Sequence, residues 1–310
     1  MNGKITIFGA GNVGGAVTRR LIERKLCKKA VLVDRNAGKA EGVALDILEA
    51  SPIDHLEPVC IPGHDMEETR DSDIVIITAG ATRKEGMSRD DLLRINADIV
   101  RDCASKAAKY SPYAFFIVVS NPLTPMCHVA MRAGQIPRTR IAGMAGILDA
   151  CRFQYFIAKE LDVSVENVQA MVLGEHGDDM LLIPRYSTVA GIPLPELIKK
   201  ERLDELIART RQGGAEIIRL MQTSAFYAPA SAVIQMVASV VMDKKKILPC
   251  AAYLTGQYGV SGTFTGAPVK LGGRGIEEIM ELSLTDEEKT SLRASADKVF
   301  EQLGRIGETC

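Results

Sequence analysis

The sequence predicts an α/β protein in which a doubly wound parallel sheet is followed by a second domain of α+β type. Three observations carry that reading. Over the first half, short apolar segments rich in Ile and Val alternate with segments of helical spacing. A glycine-rich turn, Gly9-Ala10-Gly11-Asn12-Val13-Gly14, joins the first strand to the first helix. After about residue 145 the alternation gives way to longer helices and strands. The expected division is therefore 1–145 and 146–310, with no Pro/Ser-rich linker and hence close packing between the two parts.

Taken in order, the strand segments are 4–9 (KITIFG), 30–34 (AVLVD), 73–79 (DIVIITA) and 114–120 (AFFIVVS), with weaker ones at 57–61 and 139–143. They are short and apolar on both faces, as parallel strands covered by helices on two sides must be. Helical spacing falls at 13–25, 39–51, 90–109 and 122–133. In the second half a helix is expected at 147–161 and strands at 168–174 and 180–190. Long helices follow at 195–222 and 228–243, strands at 247–258 and 267–271, and a polar helix from 285 to about 304.

Composition narrows the function. The chain has 38 basic and 39 acidic side chains, a formal net charge of −1. That balance argues against binding to a nucleic-acid backbone or an anionic membrane, which a basic excess would support. No apolar run approaches the ~18 residues of a membrane span. A strand is expected from Lys4, which would leave no room for a signal peptide before it. The seven cysteines are scattered and include no CxxC pair, so reduced thiols in a cytoplasmic protein are expected, without a disulfide framework or a metal site.

The glycine turn has the context of a dinucleotide fingerprint: a strand before it, a helix after it, and Asp34 at the end of the second strand, twenty residues past Gly14. Gly9 permits the tight turn, Gly11 lets the backbone approach a pyrophosphate, and Gly14 lets helix and strand pack closely. Asp34 can accept from ribose hydroxyls and would repel a 2′-phosphate, which favours NAD over NADP; the adjacent Arg35 weakens that preference slightly. The first domain is thus read as Rossmann-type.

Two further segments carry candidate chemistry. The strand 73–79 runs into a polar loop, Ala81 to Arg89, with Gly86 inside it and two arginines six apart, Arg83 and Arg89. Each arginine can clamp a carboxylate through two parallel bonds. By itself the loop is equally a solvated charged surface. Of the four histidines only His176, in Leu173-Gly174-Glu175-His176-Gly177-Asp178, follows an apolar strand between glycines. Asp149 and Arg152 stand three apart on one helical face. An acidic neighbour would fix the tautomer of an imidazole, but an ordinary surface ion pair fits the spacing as well.

On these pieces the sequence resembles the lactate/malate dehydrogenase family over nearly its whole length, most closely its bacterial lactate-dehydrogenase-like malate dehydrogenase branch. The matching motifs are GAGNVG (9–14), Asp34, TAGATRKEGMSRDDLLRIN (78–96), VSNP (119–122), LDACRF (148–153) and LGEHGD (173–178). The resemblance implies a Rossmann-type doubly wound parallel sheet followed by an α+β substrate domain. It also implies reversible, NAD-dependent oxidation of (S)-malate to oxaloacetate, a step of the tricarboxylic acid cycle. His176 would exchange the hydroxyl proton, with Asp149 as its carboxylate partner. Arg152 would hold the C1 carboxylate, Arg89 would polarise the reacting C–O bond, and Asn121 would bind substrate. Gly9, Ala10, Gly11, Asn12, Val13, Gly14, Asp34, Asn96, Val119, Ser120 and Asn121 would contact the cofactor, and no metal would take part. The Asn121-Pro122 bond would be cis.

Arg83 is expected to choose the substrate: in the family a Gln here goes with lactate and an Arg with malate. Ala225, a small residue, fits a roomier pocket than the lactate type. Met144 departs from the more polar residue expected there. The partner is a small dicarboxylate, and the assembly a homodimer or homotetramer, with the stripe Val43, Ala44, Ile47 and Leu48 as either an interface or an ordinary buried face. The alternatives are a lactate or other 2-hydroxyacid dehydrogenase, an NAD-dependent glycosidase of the same fold, and a non-catalytic NAD-binding protein.

Overall fold

The computed structural model describes residues 3–63, 66–82, 86–177 and 179–308. Its first half runs β1 (Lys4–Phe8), α1 (Asn12–Glu23), β2 (Lys29–Val33), α2 (Ala37–Glu49), the one-turn α3 (Ser51–Asp54) and β3 (Val59–Pro62). It continues with β4 (Ile74–Ile77), α4 (Arg89–Tyr110), β5 (Phe115–Val118), α5 (Leu123–Ala133) and β6 (Ile141–Gly143). These six strands are all parallel, in the order β3-β2-β1-β4-β5-β6. The order reverses between β1 and β4, and in open sheets of this kind the crevice at that switch point, beyond the carboxyl ends of the strands, is where ligands bind. The four residues of β4 are fully buried, which explains why its sequence is unbroken Ile and Val.

The second half contains α6 (Gly146–Leu161), β7 (Val168–Gln169), β8 (Val172–Leu173), β9 (Leu181–Leu182), β10 (Thr188–Val189) and β11 (Ile192–Pro193). Next come α7 (Leu194–Leu197), α8 (Lys200–Met221), α9 (Tyr227–Val241), β12 (Lys246–Thr255), β13 (Ser261–Gly272), β14 (Gly275–Ile279) and α10 (Asp286–Arg305). The strand expected at 180–190 is broken into β9 and β10 by a 3₁₀ turn over Pro184–Tyr186, because Pro184 has no N–H to give a ladder. The helix expected at 195–222 is two helices, since Ile198 is extended (φ −126°, ψ 128°) and buried between them.

The larger departure concerns the sheet. Strand β12 pairs antiparallel with β6, Ala251 opposite Gly143, and β13 and β14 extend it further, so one nine-stranded sheet spans both halves of the chain. The seam needs a glycine: a Cβ at Gly143 would lie 2.6 Å from the Cys127 Sγ and 2.9 Å from the Ala251 Cβ. One core cluster likewise mixes Ile5, Ile7 and Leu21 with Val233, Val237 and Val269. A local alternation pattern carries no information about such a long-range antiparallel pairing.

The stripe on α2 resolves to a buried face. Ala44 and Ile47 are in the core, and Val43 and Leu48 pack against it, while the exposed apolar residues of this region are Leu45 and Ile53. Six cysteines are free, among the described residues, and burial pushes the Cys27 and Cys103 thiols up to about 12 and Cys60 to about 11. Among the described residues no helix is long and apolar enough to cross a membrane.

His128, on α5, is 1% exposed, and neither ring nitrogen has a hydrogen-bond partner among the described residues. Burial and the Arg132 charge lower its pKa from 6.5, with Glu308 opposing. Between its folded pKa and 6.5 the unfolded chain takes up a proton that the folded chain refuses, so this group makes stability rise with pH. His128→Leu should therefore lose less stability than wild type between pH 7.5 and 5. Paired urea midpoints at the two pH values test this; identical pH dependence in both proteins would refute it.

Candidate active site

The turn between β1 and α1 is shaped by contacts that differ at each glycine. Gly9 has φ +107°, and a Cβ there would lie 2.7 Å from the Thr78 Oγ1. A Cβ at Gly14 would sit 1.8 Å from the Gly9 carbonyl oxygen, so this position admits only glycine. At Gly11 a Cβ would meet nothing within 4 Å. Gly11 is also the N-cap of α1 and supplies no side-chain cap. The protein itself thus does not require a glycine at position 11, whereas a phosphate lying against the backbone at the positive end of a helix would. Ala10 at the turn donates its N–H to the Asp34 Oδ2 at 2.8 Å, and the Asp34 Oδ1 accepts from Asn36 at 3.0 Å. Asn12 and Val13 form the first turn of α1. The donor set and the open cradle fit a dinucleotide.

A second group gathers where β4 and β5 end. The buried Asn96, on α4, accepts from the Ala81 N–H at 2.7 Å and donates Nδ2 to the Asn121 carbonyl at 2.6 Å. It therefore ties the loop after β4 to the loop after β5. Ser120 donates its hydroxyl to the Ala79 carbonyl at 2.5 Å and so reinforces the same junction. Val119 is buried beside it, and Asn121 is exposed at the cis Asn121-Pro122 bond.

The third group is built on α6 and the turn after β8. Asp149 is 1% exposed and holds two partners at once: its Oδ2 lies 2.8 Å from the His176 Nδ1, and its Oδ1 accepts from the Arg152 Nη1 at 3.3 Å. The i,i+3 spacing on α6 explains the second contact, and the first joins residues 27 apart in the chain. A carboxylate can only accept, so Nδ1 carries the hydrogen and Nε2 is left for a ligand. Burial pulls the His176 pKa down, but the Asp149 charge and hydrogen bond outweigh it, with help from Glu175 and against Arg152, and the net shift is upward. Arg152 is packed under Gly213 and Gly214 of α8: a Cβ at Gly213 would lie 3.2 Å from its Cδ. Its Nε is buried without a hydrogen-bond partner among the described residues. A desolvated guanidinium with unused donors is suited to an anionic ligand.

Arg89 is the first residue of α4 and is exposed. Arg83 lies outside the described residues. Ala225 falls in the turn between α8 and α9. Among the described residues no three His, Cys, Asp or Glu side chains converge as metal ligands. Sequence reasoning passed over Glu175, whose side chain is partly buried beside His176, and the Gly213-Gly214 pair. Two adjacent glycines inside a helix were the available signal for a close approach.

The profile of the lactate/malate dehydrogenase NAD binding domain matches residues 3–143, and that of the lactate/malate dehydrogenase alpha/beta C-terminal domain matches residues 147–308. A malate dehydrogenase of Chloroherpeton thalassium is 47% identical over 304 residues, covering 98% of each chain. The malate dehydrogenase structure from Salinibacter ruber superposes with a TM-score of 0.94 at 45% identity, over 98% of this chain and 97% of that one. The Plasmodium falciparum malate dehydrogenase in complex with NADH gives a TM-score of 0.91 at 34% identity, over 98% and 99% of the two chains. The chain belongs to the lactate/malate dehydrogenase family.

Proposed function

We propose that this protein is an NAD-dependent malate dehydrogenase, with residues 1–145 as the nucleotide domain and 146–310 as the substrate domain. The observation that carries the reading is the buried Asp149 carboxylate shared between His176 at 2.8 Å and Arg152 at 3.3 Å, in a chain whose first half matches the family's NAD binding domain. Full-length relatives named malate dehydrogenase support the choice of substrate class.

Gly9 to Gly14 would hold the pyrophosphate and Asp34 the adenosine ribose, with Asn96, Val119, Ser120 and Asn121 along the rest of the crevice. Bound NAD would supply a hydride acceptor for the carbon that bears the malate hydroxyl. His176 is oriented for the accompanying proton: with Nδ1–H committed to Asp149, neutral Nε2 takes the hydroxyl proton in oxidation, and protonated Nε2 returns it in reduction. The buried Asp149 stabilises the imidazolium formed in the first direction. Arg152 meets the C1 carboxylate with its free donors. Arg89, reaching in from the start of α4, would polarise the C–O bond, and Arg83 would neutralise the second carboxylate. Asn121 completes the substrate contacts. The raised His176 pKa favours oxaloacetate reduction on the acid side of its titration, and malate oxidation on the alkaline side.

In a homodimer or homotetramer, the exposed Leu45 and Ile53 supply apolar surface. We place the protein in the cytoplasm. The test of the activity is NADH oxidation with oxaloacetate, pyruvate and 2-oxoglutarate, repeated with NADPH. Oxaloacetate should lead pyruvate by about 10³ or more in kcat/KM, because pyruvate has no second carboxylate to pair with the Arg83 guanidinium. A preference for pyruvate would turn the reading to a lactate dehydrogenase, and no turnover with any 2-oxo acid would end it.

A further inference from the structure

Glu175 precedes His176 in the chain and its environment is unusual. Its backbone N–H donates to the Ser295 Oγ on α10 at 3.0 Å, which pins the turn from one side. Its carboxyl points the other way, into the protein, where Oε2 is buried without a hydrogen-bond partner among the described residues. The Thr124 amide, in the first turn of α5, lies against the carboxyl and acts to lower its pKa. That helix begins directly after the cis Asn121-Pro122 bond, and its N-cap, Pro122, offers no capping side chain. Glu175 therefore supplies from another part of the chain what the helix lacks locally: an acceptor at its positive end.

We propose that Glu175 is a positioning residue, whose buried carboxyl seats the His176 turn on the start of α5 and thereby fixes the imidazole relative to Asn121, while lending its charge to the imidazole. This rests on the reading of His176 and Asn121 given above. A helix end capped only by solvent would need no buried carboxylate, and one leaving Oε2 unpaired is costly. Such a cost is understandable where the charge acts on a neighbour. Burial pushes Glu175 up to about 7, against the His176 charge and the Thr124 and His176 amides, with Asp179 adding to the rise. The charged groups around the pair are Asp149 and Arg152 on α6 and Asp179 with its Lys298 partner on α10; the Cys127 thiol on α5 is titratable but held neutral by burial. The charge of each of Glu175 and His176 therefore bears on the protonation of the other. When Glu175 is ionised it favours the protonated imidazole, which is the form that reduces oxaloacetate.

Two variants test this in the full-length protein. Glu175→Gln keeps an acceptor for the Thr124 amide and removes the charge; Glu175→Leu removes both. The direct readout is the His176 titration followed by imidazole NMR, assigned with His176→Ala. Glu175→Gln should lower the His176 midpoint by about half a pH unit or more, and shift the alkaline limb of oxaloacetate reduction to lower pH with it. Glu175→Leu should lower kcat about tenfold or more while the NADH Kd stays within about threefold, with Gln restoring most of kcat near neutral pH. An unchanged midpoint in Glu175→Gln overturns the proposal, as does wild-type kcat in Glu175→Leu. If the Leu variant does not fold, the Gln titration decides alone. Absence of oxaloacetate turnover in the wild type would instead overturn the functional reading, since the titration of His176 is measured without turnover.

Discussion

His176→Ala should bind NADH as the wild type does and reduce oxaloacetate slower by about 10³-fold or more, as expected when proton transfer in the transition state loses its donor and an anionic oxygen loses its counter-charge. The nucleotide turn and the Asn96 junction are built on other elements and hold their geometry through side chain–backbone hydrogen bonds that do not involve His176. The loss should therefore fall on kcat. Removing the imidazole also strips the buried Asp149 of one of its two partners and leaves it with Arg152 alone. The variant is then predicted to be less stable as well as slower. NADH titration by fluorescence, together with steady-state rates, separates binding from chemistry. A variant with kcat within threefold of wild type would remove His176 from the proton-transfer role.

Arg83→Gln is expected to move specificity rather than destroy activity. Oxaloacetate carries a second carboxylate where pyruvate has a methyl group. In a site from which water is excluded, that charge needs a counterion, and a guanidinium can provide a two-point contact. Glutamine leaves the carboxylate without its counter-charge and relieves pyruvate of facing an unpaired cation. The ratio of kcat/KM for oxaloacetate to that for pyruvate should fall by about 10²-fold or more, with oxaloacetate losing and pyruvate gaining. A ratio unmoved within experimental scatter would show that the selector is another residue, and the small Ala225 would be the next to vary.

Much of this was legible because the relevant signals are local. The doubly wound first half could be read from apolar segments of strand length between helices, since parallel strands buried on both faces must be apolar throughout. The nucleotide turn could be read because the stereochemistry of Gly9 and Gly14 forbids a side chain. What local pattern could not supply were the meetings across the chain. Asp149 and Arg152 lie three apart and looked like any surface ion pair; only folding shows Asp149 to be buried and turned toward His176, 27 residues on. The β6–β12 seam is a tertiary event of the same kind, joining segments about a hundred residues apart. Glu175 was hidden for a different reason. A glutamate in a polar turn is ordinarily a solvated charge, and nothing in its sequence neighbourhood states that the start of α5 lies over it.

The uninterrupted ladder from β3 to β14 carries a mechanical implication. Two lobes joined by a flexible strap can rock against each other to trap a ligand. Here the backbone bonds of the β6–β12 seam and a shared apolar interior resist that motion, because rotation would have to break them. Any sealing of the crevice against bulk solvent would then have to come from side chains and surface segments, without a swing of one half against the other. The two halves of the chain thus present one continuous platform to whatever binds beyond the strand ends.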